Sequence, residues 1–186
     1  MDTSPTADAA QLHWVQPRAS ERQFELRSQE GVVASLRFEK ACGSLATAGS
    51  HAGSWTFKRA GFLNPRVTIR LAGANPDLGV FWPRFAGGGW LDLANGGRFH
   101  WKSTNLWSSE WGFLNAREEP LFVLRLGGGR QKPPDLLKTQ ASIEIMPRGQ
   151  GLPELPLLMA LAWYLTILQK EDATVAIIAA TSAACS

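Results

Sequence analysis

The sequence has few of the residues that mark secreted or metal-binding proteins. Cys42 and Cys185 are the only cysteines among 186 residues, so we predict neither a disulfide framework nor a cysteine-based metal site. The three histidines, His13, His51 and His100, lie far apart and lack the spacing of a metalloprotease helix. We therefore predict no metal ion and no other cofactor.

The first residues also predict no secretory signal. The chain begins MDTSPTADAAQ, which has neither the basic start nor the apolar segment of a signal peptide. We predict a cytoplasmic protein, either free or peripheral to a membrane, with residues 1–20 as a flexible tail. The net charge of +3 is too small to require nucleic acid as a partner, and we expect none.

No local catalytic motif is present. The sequence has no GxSxG nucleophile elbow, and Glu118 and Glu119 are adjacent, so their side chains diverge on an extended chain. The glycine triplets at 87–89 and 127–129 precede no predicted helix, which favours loops over phosphate sites. These observations favour a protein without enzymatic activity. An enzyme stays an alternative, because a catalytic triad can be assembled from residues that are far apart in the sequence.

The longest apolar run is LPLLMALAWYLTIL, at residues 155–168. Crossing a membrane takes about 20 residues, so this run is too short to span one. Apart from Thr166, only the polar tips of one tryptophan and one tyrosine interrupt it, and no face is polar. We predict a helix over 153–169, with Glu154 in its first turn and Lys170 in its last, enclosed by protein on every side.

Short segments of alternating apolar and polar residues precede this run. The turn sequence Asn95-Gly96-Gly97 gives the strongest hairpin signal, because glycine supplies the positive φ that tight turns require. Strand-like segments with turn residues every eight to twelve positions are typical of a sandwich or barrel. We predict a mainly β fold, a closed antiparallel barrel of about 10–12 strands around the buried C-terminal helix.

The predicted domain covers residues 21–172. Beyond it, residues 173–186 form either a strand-like extension or a loose tail. Three tryptophans, Trp55, Trp101 and Trp111, share the phase of apolar strand residues and are predicted to lie in the core.

Two surface features could bind a ligand. No acidic residue lies between Glu39 and Asp77, and Lys58, Arg66 and Arg70 in this interval share an outward phase, which predicts a patch for anionic lipid headgroups. A solvated exterior is the other interpretation of these charges. Trp107, in the loop STNLWSSE, either stacks on a ligand or folds back over the barrel end.

The strand pairs and the apolar helix resemble the tubby-like superfamily, which includes tubby C-terminal domains, LURP-one-related proteins and phospholipid scramblases. The segments that carry the resemblance are GSWTFKRAGF (53–62), WLDLANGGRFHWK (90–102), EWGFLNAREEPLFVLRL (110–126) and LPELPLLMALAWYL (152–165). The resemblance is to bacterial relatives and implies a barrel around a central helix. Tubby domains bind phosphoinositide headgroups through basic residues, and none of these residues is carried over to a position of this sequence. The calcium-binding acidic segment of scramblases is reduced to Glu144 and Glu154.

Two functional hypotheses follow. The first is a binding or scaffold module without enzymatic activity that contacts anionic phospholipid headgroups at a membrane surface. The alternative is an enzyme, or a binder of carbohydrate or another small ligand, with a pocket at the barrel mouth near Trp107. A deep pocket with convergent polar groups would favour the alternative, and a plugged mouth beside a basic rim would favour lipid contact.

Overall fold

A computed structural model describes residues 11–61, 64–84, 87–105, 109–127 and 139–184, with side chains described up to residue 177. The described residues form twelve strands and one helix. These are β1 Leu12–Val15, β2 Gln23–Arg27, β3 Val32–Phe38, β4 Ala46–Ser50, β5 Gly53–Ala60, β6 Arg66–Leu71, β7 Asp77–Pro83, β8 Gly89–Leu93, β9 Arg98–Ser103, β10 Glu110–Leu114, β11 Phe122–Leu126, β12 Ala141–Ile145 and α1 Leu155–Ala184.

The strands form one closed antiparallel barrel. Each strand pairs with its neighbour in the sequence, and β1 pairs with β12 through Leu12 opposite Ile143. The predicted barrel is therefore confirmed, with twelve strands. The predicted hairpin at Asn95 is the β8–β9 connection, where Gly96 has a φ of 88° and the Asn95 Oδ1 accepts a 3.0 Å hydrogen bond from the Gly97 amide.

The first strand lies in the segment that we expected to be a tail. Leu12 and Trp14 point into the barrel and are buried, while His13 and Val15 are partly exposed. This short alternating segment closes the barrel between β2 and β12. The predicted tail boundary at residue 20 is thus corrected, because four residues with period-two alternation are enough to make a strand.

The first part of α1 fills the barrel interior. Leu158, Leu161 and Trp163 are completely buried, and the Trp163 ring stacks on Trp14 with centroids 5.6 Å apart. Thr166 is satisfied within the helix, since its Oγ1 donates a 2.8 Å hydrogen bond to the Ala162 carbonyl. The enclosed helix predicted from the sequence is present.

The length of the helix differs from the prediction. It begins at Leu155 and continues to Ala184, so Glu154 precedes it and Lys170 lies within it. Residues 173–184, for which we expected a strand or loose tail, are helical because alanine, the best helix former, dominates them. No helix among the described residues is both long enough and apolar enough to cross a membrane.

The barrel has two distinct ends. Asn95, in the β8–β9 turn, hydrogen-bonds to Glu154 where the helix starts, and Arg22 and Arg59 contact the helix where it leaves. Because consecutive strands alternate in direction, the connections after odd-numbered strands all lie at the second end. We call these the helix-start end and the helix-exit end.

Candidate functional site

Two ion pairs hold α1 where it leaves the barrel. Arg22, before β2, lies 2.7 Å from a Glu171 carboxylate oxygen, and Arg59, at the end of β5, lies 2.6 Å from an Asp172 oxygen. The Arg22 guanidinium also lies 3.9 Å from the centre of the Phe38 ring. The hydrogen bonds that the Arg59 guanidinium donates to the Asp172 carboxylate are the main cause of a raised pKa at Arg59. The helix exit is therefore fixed from two sides of the barrel.

Tyr164 connects the helix to the wall just inside this end. Its hydroxyl donates a 2.6 Å hydrogen bond to the Ser44 carbonyl and accepts a 3.0 Å hydrogen bond from the Arg59 amide. Its ring stacks on Phe38 with centroids 5.5 Å apart. Burial raises the pKa of Tyr164 to about 12, so the phenol is neutral at physiological pH.

Besides Arg37 on the outer wall of β3, four exposed basic side chains surround part of the helix-exit end, on the arc of the barrel from β3 to β7. Lys40 follows β3, Lys58 and Arg66 flank the β5–β6 connection, and Arg84 follows β7. None of the four forms an ion pair with a carboxylate that the structure describes. We call these four residues the basic collar.

An exposed aromatic residue lies within the collar. Trp82 at the end of β7 is 42% exposed, and the Arg66 guanidinium carbon lies 5.9 Å from the centre of its ring. Arg84 lies 5.0 Å from the ring centre of the neighbouring Trp90. Trp82 is not among the residues predicted to bind a ligand, although its alternation with the buried Phe81 indicates the outer face.

The structure divides the predicted patch. Lys58 and Arg66 both belong to the collar, as their outward phase predicted. Arg70 is also exposed but lies toward the helix-start end, and its Nε is 2.6 Å from Asp77. Leu71 alternates in the sequence with the buried Val67 and Ile69, but at the end of β6 it is 48% exposed. Arg70 is thus neutralised by a partner and is separated from the exit.

Charge is distributed unequally between the two ends. With Glu25 at mid-strand, the described basic residues nearer the helix-exit end are Arg18, Arg22, Arg37, Lys40, Lys58, Arg59, Arg66, Arg84, Lys102, Arg125 and Lys170. The acidic ones there are Glu21, Glu39, Glu110, Glu171 and Asp172. Nearer the helix-start end are Arg27, Arg70, Arg98, Arg117 and Arg148, with Glu30, Asp77, Asp92, Glu118, Glu119, Glu144 and Glu154. The exit end is therefore net basic and the start end net acidic.

The barrel mouth at the exit end is plugged by the helix. The largest recess described there, about 550 Å³, lies between the helix and the wall and is lined by Arg22, Phe24, Arg59, Ile167 and Lys170, among others. Both arginines have carboxylate partners, and the Lys170 ammonium donates a 2.9 Å hydrogen bond to Thr139. Among the buried side-chain nitrogen and oxygen atoms described in this lining, only the Arg22 Nε has no hydrogen-bond partner. Trp107, the predicted stacking residue, lies outside the described residues.

A smaller polar cluster lies on the outer wall. Glu118 accepts hydrogen bonds from Lys102 and His100, and the bond from Lys102 is the main cause of the lowered pKa of Glu118. Glu119 instead faces Asn115 and Arg148, so the two adjacent carboxylates diverge as predicted. The described residues contain no group of His, Cys, Asp and Glu that could hold a metal ion.

Comparison with models of known protein families, with curated proteins and with solved structures gives no match. The geometry of the helix-exit end is therefore the basis on which a function is inferred.

Proposed function

We propose that the protein is a binding module without enzymatic activity that contacts anionic phospholipid headgroups through the helix-exit end of its barrel. The observation that carries this proposal is the basic collar, whose four exposed side chains have no described carboxylate partner and lie beside a plugged mouth. An anionic surface supplies the missing counter-charges. The same end presents Trp82, and tryptophan is enriched where proteins meet the membrane interface.

The unequal charge of the two ends would also orient the protein. An anionic membrane attracts the helix-exit end and repels the helix-start end, so only one face of the barrel approaches the lipid. Basic residues near such a surface contribute about 1 kcal/mol each, and the effect falls off within a Debye length. Binding through the collar is therefore expected to be strong at low salt and weak at high salt.

The experiment compares two triple variants that remove the same charge. Lys58→Gln, Arg66→Gln and Arg84→Gln together neutralise three collar residues, while Arg70→Gln, Arg98→Gln and Arg117→Gln neutralise three residues of the helix-start end. Co-sedimentation with vesicles of phosphatidylcholine and phosphatidylserine at low salt is the measurement. We expect the collar variant to lose up to about 3 kcal/mol of binding free energy and the control variant to lose little.

Two results would contradict the proposal. One is wild-type protein that does not bind phosphatidylserine vesicles at low salt. The other is equal loss of binding in both triple variants, which would show that net charge alone matters. Vesicles of phosphatidylcholine alone should bind weakly, because they offer no negative surface potential.

Membership of the tubby-like superfamily is part of the same proposal. A closed antiparallel barrel around an apolar C-terminal helix agrees with that resemblance. A cytoplasmic location, with the protein peripheral to the membrane, also belongs to this proposal.

The alternative function is an enzyme, or a binder of carbohydrate or another small ligand, near Trp107. If this alternative holds, a Trp107→Ala variant should lose binding to a sugar or small ligand while its vesicle binding stays intact.

A further inference from the structure

The helix does not end where the barrel ends. After Asp172 it continues through residues 173–184, and this stretch contains no charged residue. Its described side chains, through residue 177, are exposed, and Val175 and Ile177 are exposed to 67% and 66%. We call residues 173–184 the helical extension. Exposed apolar side chains on an uncharged stretch of helix are typical of an interaction surface.

We propose that the helical extension inserts into the acyl-chain region of one leaflet of the anionic membrane that the basic collar contacts. This inference rests on the proposed function and adds the apolar part of the binding. A helix rises 1.5 Å per residue, so the extension is about 18 Å long, against about 30 Å for the hydrocarbon core. That length reaches well into one leaflet and does not cross the bilayer.

The surroundings of the extension favour lipid over a second copy of this chain. Two copies that paired through their extensions would bring two net basic ends together, and these would repel each other. An anionic bilayer offers the opposite charge around an apolar interior, which matches a basic collar around an apolar helix. Leu45 and Trp82 are also exposed at this end, at about 42% each, and would lie at the headgroup level.

The two ion pairs at the helix exit are also consistent with insertion of the helical extension into an anionic membrane. Glu171 and Asp172 are the last charged residues before the extension, and an anionic surface would repel them if they were unpaired. Arg22 and Arg59 neutralise them and hold the helix in place at the barrel rim. The extension therefore leaves the barrel in a fixed position, with its acidic base already neutralised.

The first measurement separates apolar insertion from electrostatic binding. Val175→Gln and Ile177→Gln together remove apolar surface from the extension without changing charge. Val32→Gln and Leu71→Gln do the same at the helix-start end, where these residues are exposed to 57% and 48%. Both variants are tested on phosphatidylcholine–phosphatidylserine vesicles at low salt and at about 1 M salt, where the Debye length is about 3 Å.

We expect wild-type protein to keep part of its vesicle binding at high salt. The affinity of the extension variant at high salt should be at least about tenfold lower than that of the wild type, and the affinity of the control variant should be unchanged. The low-salt, collar-dependent binding should survive in both variants. Salt-resistant binding that is equal in wild type and in the extension variant, or absent from wild type, would overturn the insertion and leave the proposed function standing. Failure of wild-type protein to bind at low salt would instead remove both proposals.

The second measurement reports the depth of the extension directly. A fluorophore is attached at Ile177→Cys, or at Val32→Cys as the control, in a background with Cys42→Ser and Cys185→Ser. We expect the fluorophore at residue 177, and not the one at residue 32, to show a blue-shifted emission on vesicles. We also expect lipids with brominated acyl chains to quench only the fluorophore at residue 177. A probe at 177 that stays in water on vesicle-bound protein would overturn the inference. So would self-association without vesicles that the Val175→Gln and Ile177→Gln variant abolishes, because the occupant would then be a second copy.

Discussion

The two parts of α1 have similar composition and opposite surroundings. Residues 155–168 lie inside the barrel, where Leu158 and Leu161 have no exposed surface, whereas Val175 and Ile177 are about two-thirds exposed. Both parts are uncharged and rich in apolar residues. What differs is the wall: the strands enclose the first part and stop before the second.

Simple lengths account for where the wall stops. A helical run over residues 155–168 is about 21 Å long, at 1.5 Å per residue. The barrel strands have four to eight residues and span about 13–26 Å, at about 3.3 Å per residue. The barrel therefore encloses one such run, and the charged sequence Lys170-Glu171-Asp172 marks its rim. An apolar composition indicates that a helical segment is stable when it is shielded from water. The length of the surrounding strands determines how much of the helix the barrel shields.

The largest expected effect comes from placing the same charge in each part of the helix. Leu161→Asp puts an unpaired carboxylate among fully buried side chains, which costs more than a domain of this size can tolerate. We expect this variant to be insoluble or to lack a cooperative thermal transition. Val175→Asp places the same group in water, and we expect its melting temperature to stay close to that of the wild type. Circular dichroism during heating provides the measurement.

A milder pair of substitutions keeps this comparison quantitative if Leu161→Asp cannot be purified. Leu161→Ala should destabilise the protein by about 2–5 kcal/mol, and Val175→Ala by a few tenths. Similar losses at the two positions would mean that the helix is not enclosed as described.

The second prediction tests the point where the buried part of the helix is attached to the wall. Tyr164→Phe removes the hydroxyl that joins the Ser44 carbonyl and the Arg59 amide, and leaves both groups without this partner. We expect a loss of about 1–3 kcal/mol at neutral pH from urea denaturation. Loss of less than a few tenths of a kcal/mol would show that water replaces the hydroxyl at both groups.

The same residue gives a pH test with a definite sign. Burial raises the pKa of Tyr164 from about 10 in the unfolded chain to about 12 in the folded protein. The folded state therefore holds this proton more tightly, and its contribution, about 3 kcal/mol, is complete below pH 10 and is lost as the pH rises to 12. Tyr164 is the only tyrosine, so its absorbance titration is unambiguous. Tyr164→Phe should lack this part of the alkaline destabilisation.

Much of the fold could be predicted from the sequence, because period-two alternation and a run without a polar face are local signals. In the sequence, Leu36 and Phe38 alternate with the charged Arg37 and Glu39. In the barrel, the first two residues are buried and the other two are exposed. The strand at Leu12–Val15 was missed because it is short and lies next to a polar segment that has no such pattern. The end of the helix was missed because apolar residues after Asp172 were assigned to a new element, although nothing there breaks a helix.

The candidate site was only partly predictable. The alternation of apolar and polar residues along the strands placed Lys58 and Arg66 on the outer surface. Alternation does not indicate whether a basic side chain forms an ion pair with a carboxylate. The ion pair between Arg70 and Asp77 depends on how β6 pairs with β7 across a shift in register. Lys40 and Arg84 lie in connections, where no periodicity indicates direction, and only the closed barrel brings them to the same end as the helix exit.

The smallest expected effect lies at the boundary between the two parts of the helix. Glu171→Gln and Asp172→Asn together remove the carboxylates that pair with Arg22 and Arg59. Both carboxylates are about half exposed, so each pair contributes at most about 1 kcal/mol and less in salt. We expect a small loss of stability together with stronger binding to phosphatidylserine vesicles, because two arginines lose their counter-charges beside the collar. Lys58→Gln added to this variant should weaken the binding again, and unchanged vesicle binding in the double variant would show that Arg22 and Arg59 do not face the lipid.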